Sequence, residues 1–146
     1  MVVTTRILLV GGSRSVVEML VEHLHYSDRY ELGWVEYCDQ ALAALERRRF
    51  DLVLVLSLYV PWTMRSAHEY SPEWRADLPL NAILFLSHMR ALRNPPLVIV
   101  ASGSPLAETE KEALAHGAFA FIHKPFDLAE FDRVVVLALE NRTGSQ

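Results

Sequence analysis

Short apolar runs alternate with amphipathic stretches along this chain. Ile7–Val10, Leu52–Leu56 and Leu97–Ala101 are brief, apolar and rich in β-branched residues, as strands covered on both faces should be. Ala118–Ile122 has the same character, whereas Tyr30–Tyr37 is more polar and suits an edge strand. Between these runs the period is helical. Ser15-Val16-Val17-Glu18 reads as a capping box, with Val16, Met19, Leu20 and Leu24 on one face of the helix it opens. Asp39 is placed to cap a helix over Gln40–Arg49, whose Ala41, Leu42 and Leu45 form the inner stripe. Leu80–Arg93 supplies a third helix, apolar at Ile83, Leu84, Leu86 and Met89. Ser104-Pro105 puts a cap before a proline at the first helical position of a helix ending near Gly117. Asp127 with Glu130 is a second capping box, opening a last helix to about Asn141. Five strands alternating with five helices predict an α/β fold, a doubly wound parallel sheet with helices on both faces reached by right-handed crossovers. Ligands in such sheets sit beyond the carboxyl ends of the strands. That directs attention to Gly11–Ser15, Ser57–Pro61, Ala101–Ser104 and His123–Phe126.

Composition narrows the class without naming it. The 146 residues fit one domain over 1–141, with an insertion loop at about 62–79 and a flexible tail over 142–146. Eighteen acids against fourteen bases leave a net charge of −4, so no direct nucleic-acid contact is expected. A lone cysteine, Cys38, excludes an internal disulfide and fits a reducing compartment. No basic stretch followed by an apolar run opens the chain, and no apolar run approaches the ~20 residues of a membrane helix. The expectation is a cytoplasmic protein with no membrane contact.

One segment carries more specific information. Gly117-Ala118-Phe119-Ala120-Phe121-Ile122-His123-Lys124-Pro125-Phe126 is similar to the Gly-Ala, aromatic, Lys-Pro-Phe ending of the fifth strand in response-regulator receiver domains, the CheY-like family. Ile7-Leu8-Leu9-Val10, Ala41-Leu42, Asp51-Leu52-Val53-Leu54 and Pro61 extend the resemblance over Arg6 to Arg142. It implies a five-stranded sheet in the order 2-1-3-4-5. It also implies a chemistry: an acidic pair after the first strand binds Mg²⁺, and an aspartate ending the third strand takes a phosphoryl group. A Thr or Ser and a Lys then steady the transferred charge.

This chain departs from that pattern where the chemistry is done. The acidic pair aligns with Gly11 and Gly12, and four residues before Pro61 the phosphoacceptor position falls on Ser57. Because Asp51 to Ser57 is one residue longer than the family's usual spacing, Leu56 is the alternative. Ser102, Phe121, Lys124 and Pro125 match retained receiver positions. The resemblance therefore implies a degenerate receiver, non-catalytic and without metal or cofactor. It would act through a protein partner in a signalling pathway, independently of phosphorylation. No output domain follows in 146 residues, so any output would belong to a partner.

Other features weigh on the same question. A lysine that has lost its carboxylates must reach solvent, bind an anion or lower its pKa. An alternative reading is thus a sensor of an anion or phosphorylated small molecule, built on Gly12, Ser13, Arg14, Ser57, Ser102 and Lys124. Gly11-Gly12 matches neither common nucleotide-binding glycine motif. The loop after Trp62 carries Trp74 among other aromatics and arginines, and is either a docking segment or lid, or an insertion packed on the third helix. In the last helix Phe131, Val135, Ala138 and Leu139 point inward while Val136 and Leu137 do not. Phe119 and Ala120 stand where many receivers place acids. Together these predict a homodimer through the face made by the fourth helix, fifth strand and fifth helix. The six histidines show no metal-ligand spacing, and Arg47-Arg48-Arg49 reads as a solvated helix end.

Overall fold

The computed structural model describes residues 5–25, 30–56, 60, 62, 79–102, 107–123 and 127–144. The strands are β1 (Thr5–Val10), β2 (Tyr30–Val35), β3 (Leu52–Val55), β4 (Leu97–Ser102) and β5 (Ala120–His123). The helices are α1 (Arg14–His25), α2 (Cys38–Arg47), α3 (Pro79–Arg90), α4 (Ala107–Ala115) and α5 (Leu128–Gly144). The strands form one parallel sheet in the order β2-β1-β3-β4-β5, as the resemblance implies. Each crossover carries a helix, and successive side chains point to opposite faces.

That alternation divides the core in two. Leu8, Val10, Val53, Val55, Val98 and Val100 face one side, where α2, α3 and α4 cover them with residues such as Ala41, Phe85, Met89 and Ala113. Ile7, Leu9, Leu52, Leu54, Ile99 and Ala101 face the other, covered from α1 by Leu20 and Leu24 and from α5 by Phe131 and Val135. Every residue of β3 is buried, which is why its sequence is an unbroken apolar run. The more polar β2 lies at the edge, as its composition predicts.

Helix boundaries and faces correct several sequence expectations. α1 starts at Arg14, ahead of the expected box, and its cap is Ser13, whose Oγ accepts from the Val16 N–H at 3.3 Å. The buried stripe of α1 is Val17, Leu20 and Leu24, while Met19 is 40% exposed. Starting α1 earlier does not by itself rotate the stripe; the sheet selects Val17 over Met19. Asp39 lies inside the first turn of α2, not at its cap. Its place is taken by the Gln40 side chain, whose Oε1 accepts from the N–H groups of Glu36 and Tyr37. In α3, Phe85 is buried and Leu84 is half exposed. Asp127 does cap α5, with Oδ1 accepting from Ala129 N–H at 2.9 Å, and the helix continues past Asn141 to Gly144. Ser104 and Pro105 lie outside the described residues.

Candidate functional site

The carboxyl ends of β1 and β3 meet at the loop formed by Gly11 and Gly12. Both glycines have left-handed backbones, with φ of 74° and 81°. Each is also pressed against an apolar side chain. A Cβ on Gly11 would stand 2.6 Å from a methyl of Val60, and one on Gly12 would stand 2.8 Å from the Cβ of Leu56. Val60 and Leu56 are both fully buried. Glycine is therefore required here twice over, by backbone conformation and by space.

The loop is held in place from several directions. Gly11 donates its N–H to the Val35 carbonyl at 2.9 Å, extending the β1–β2 ladder by one bond. The Trp34 indole Nε1 donates to the Gly11 carbonyl at 3.2 Å. Leu56 donates its N–H to the Val10 carbonyl at 2.9 Å, so β3 follows β1 up to the point where Leu56 touches Gly12. On the far side, Val60 accepts a weak bond from the Cys38 thiol at 3.9 Å. Burial pushes that thiol's pKa up to about 12, with Asp39 adding to the shift, so Cys38 is a neutral packing group.

A divalent cation of the kind receiver domains bind does not fit these residues. Mg²⁺ takes oxygen ligands, including one or two carboxylates. Gly11 and Gly12 offer no side chain, and the groups facing them are a valine methyl and a leucine Cβ. No group of three His, Cys, Asp or Glu side chains among the described residues could hold a metal ion. Two of the anion-site candidates, Ser13 and Arg14, already have partners. Ser13 Oγ caps α1, and the exposed Arg14 pairs with Glu18 one turn on at 3.3 Å.

The remaining sequence candidates divide between placed and unplaced. Leu56, the alternative acceptor position, is the one brought against Gly12; Ser57 lies outside the described residues, as do Lys124, Pro125 and Trp74. Ser102 ends β4, its backbone in register with His123 of β5. Phe121 packs partly against the core on the side covered by α2, α3 and α4, its ring 5.0 Å from that of His123. Phe119 packs on the opposite core and donates its N–H to the Val98 carbonyl at 2.7 Å. Trp62 is half-buried, set edge-on against His88 of α3 at 5.2 Å, and its carbonyl accepts from Asp39 N–H. Val136 and Leu137 each stand 47% exposed on α5, as their helical phase predicts.

Sequence reasoning missed two long-range links. His23 of α1 meets Asp132 of α5 at 2.7 Å, and His123 of β5 meets Glu110 of α4 at 3.2 Å. Neither pair has a local spacing signal, since the first spans 109 positions. Each becomes visible only when helix phases and sheet order are combined.

Comparison with solved structures places this architecture among receiver domains. A CheY-like receiver domain from Methanospirillum hungatei superposes with a TM-score of 0.77 at 19% identity, covering 99% of this chain and 100% of its own. The receiver domain of a sensor histidine kinase from Pseudomonas aeruginosa, with a magnesium ion coordinated in its active-site cleft, superposes with a TM-score of 0.69 at 21% identity, over 94% and 99% of the two chains. NtrX from Brucella abortus, in complex with ADP, gives a TM-score of 0.72 at 23% identity; 97% of this chain corresponds to 27% of NtrX. No family model and no curated protein matches the sequence. At these identities the likeness establishes the fold, and no helix among the described residues is long and apolar enough to cross a membrane.

Proposed function

We propose that this chain is a degenerate receiver, a cytoplasmic, non-enzymatic signalling module that acts through protein contacts and not by carrying a phosphoryl group. One observation carries the reading. Where receivers hold their acidic pair, this chain has two left-handed glycines packed against Val60 and Leu56. An acidic side chain there would need both a strained backbone and displaced core atoms. Serine at position 57 adds a second reason, since an alcohol is a weak nucleophile at neutral pH where the family uses an ionised carboxylate. Incubation with acetyl phosphate and Mg²⁺, followed by intact mass measurement, should show no added phosphoryl group. A stable adduct at Ser57 would overturn the proposal.

The partner surface in this reading is the α4-β5-α5 face, and the partner a second copy of the chain. Leu114 on α4 and Val136 and Leu137 on α5 are large apolar side chains exposed by 43%, 47% and 47%. Single exposed apolar residues are ordinary on a surface; these three support the reading because α4 and α5 both border the proposed face. Val136→Glu with Leu137→Glu should convert a dimer into a monomer in sedimentation velocity while the far-ultraviolet circular dichroism stays that of the folded parent. Identical sedimentation of the parent and the double variant would count against this interface.

A further inference from the structure

At the other end of the sheet, the amino ends of β3 and β4 border a groove that the signalling reading does not use. It encloses about 310 Å³ and is lined by Arg47, Arg48, Arg49 and Arg93, with Phe50 and Leu92 among its apolar residues. A second space of about 210 Å³ adjoins it, sharing Arg49, Phe50 and Asn94. Four of the fourteen basic side chains of an acidic protein thus converge on one small volume.

Two nearby carboxylates already have partners, one of them Arg48 of the groove itself. Glu31 pairs with Arg6 at 3.2 Å and with Arg48 at 3.6 Å. Asp51 accepts from the Arg6 backbone N–H at 2.9 Å. Glu46 lines the groove, yet Arg47, Arg49 and Arg93 form no ion pair among the described residues. The carboxyl end of α2 favours positive charge, which accounts for Arg47 and Arg48 without a ligand. Arg93 follows the carboxyl end of α3, a separate part of the chain, so the fold gathers the four guanidinium groups from two helix ends onto one volume.

We propose that this groove binds a small phosphorylated ligand of mononucleotide type. Guanidinium groups present paired N–H donors that match phosphate oxygens, and they are weakly hydrated enough to exchange water for such a partner. Phe50 and Leu92 provide the apolar surface on which a planar ring would lie. The volume sits near the lower bound for ligand pockets, about 300 Å³, which suits a single nucleotide and not a polymer. The chain's net charge of −4 also disfavours a nucleic-acid strand running beyond the groove.

Calorimetric titration of the whole chain with AMP, and separately with adenosine and with inorganic phosphate, tests the proposal. AMP should bind saturably and more tightly than either fragment. Arg49→Gln combined with Arg93→Gln should weaken AMP by about tenfold or more, from the loss of two charge-assisted contacts. Both side chains are exposed, so the double variant should keep the parent's melting temperature. Amide resonances of Phe50 and Asn94 should move on titration. Absence of saturable AMP binding, or unchanged affinity in the double variant, would overturn the proposal. Equal affinity for AMP and inorganic phosphate would overturn the ring-bearing ligand.

Discussion

Gly12→Asp, which returns a carboxylate to the loop after β1, should lower the unfolding free energy by about 3 kcal/mol and gain no Mg²⁺ affinity. Two contributions make up that figure. A left-handed backbone costs a residue with a Cβ roughly 1–2 kcal/mol, and Gly12 has φ of 81°. Forcing an extra atom into a filled core adds about 1–3 kcal/mol. The atom in the way is the Cβ of Leu56, at 2.8 Å, and rotation about χ1 cannot move a Cβ. At Gly11 the closest atom is a Val60 γ-methyl, which a rotamer change could carry away, so Gly11→Asp should be the milder of the two. Against a typical total of about 5–15 kcal/mol, the loss at Gly12 is a large shift. Urea denaturation followed by circular dichroism measures it, and Mg²⁺ titration of the folded variant measures the second half. A wild-type midpoint, or a gain in Mg²⁺ binding, would show that the loop can open to admit an acid.

Phe131→Ala should cost more, about 3–5 kcal/mol, because it removes a ring from the closed side of the core. Phe131 is 1% exposed and belongs to the cluster that joins α1 and α5 to Ile7, Leu9 and Ile99. Six positions later in the same helix, Leu137→Ala should change the stability of the monomer, measured at a concentration where the chain does not associate, by no more than about 0.5 kcal/mol, since that side chain is 47% exposed. The contrast within one helix separates burial from helix propensity, which alanine improves at both sites. Chemical denaturation of the two variants side by side gives the comparison. Similar losses at both positions would mean that α5 is buried on its outer face as well.

Much of the fold was legible because parallel strands covered on both faces leave an unmistakable apolar run. β3 and the inner residues of α5 followed directly from that pattern. The faces of α1 and α3 did not. Met19 and Leu84 satisfy the helical period as well as Val17 and Phe85 do, and only the position of the sheet decides between them. The caps of α1 and α2 were misread for a local reason: Ser13 and Gln40 reach backbone N–H groups in turns whose geometry a linear sequence does not display. At the glycine loop, alignment marked the positions where acids are absent. It gave no sign that Val60 and Leu56 fill the space, because contacts across sequence separations of this kind depend on how β3 registers against β1. The arginine groove was half visible. Arg47-Arg48-Arg49 is plain in the sequence, but Arg93 joins it only through the pairing of β3 with β4.

The arrangement of α1 and α5 on one side of the sheet sets an order of assembly. β1 pairs with both β2 and β3, and its register with β3 joins Ile7 to Leu52, so even the central pairing closes a long loop of chain. Such non-local pairing slows folding. The side lined by Ile7, Leu9, Leu54 and Ile99 then waits for Phe131 and Val135, which arrive with the last helix. On a ribosome, the opposite side acquires α2, α3 and α4 while this one is still half-covered by α1 alone. The nascent chain thus passes through an interval in which a strip of apolar sheet faces water, where aggregation and chaperone capture compete with folding.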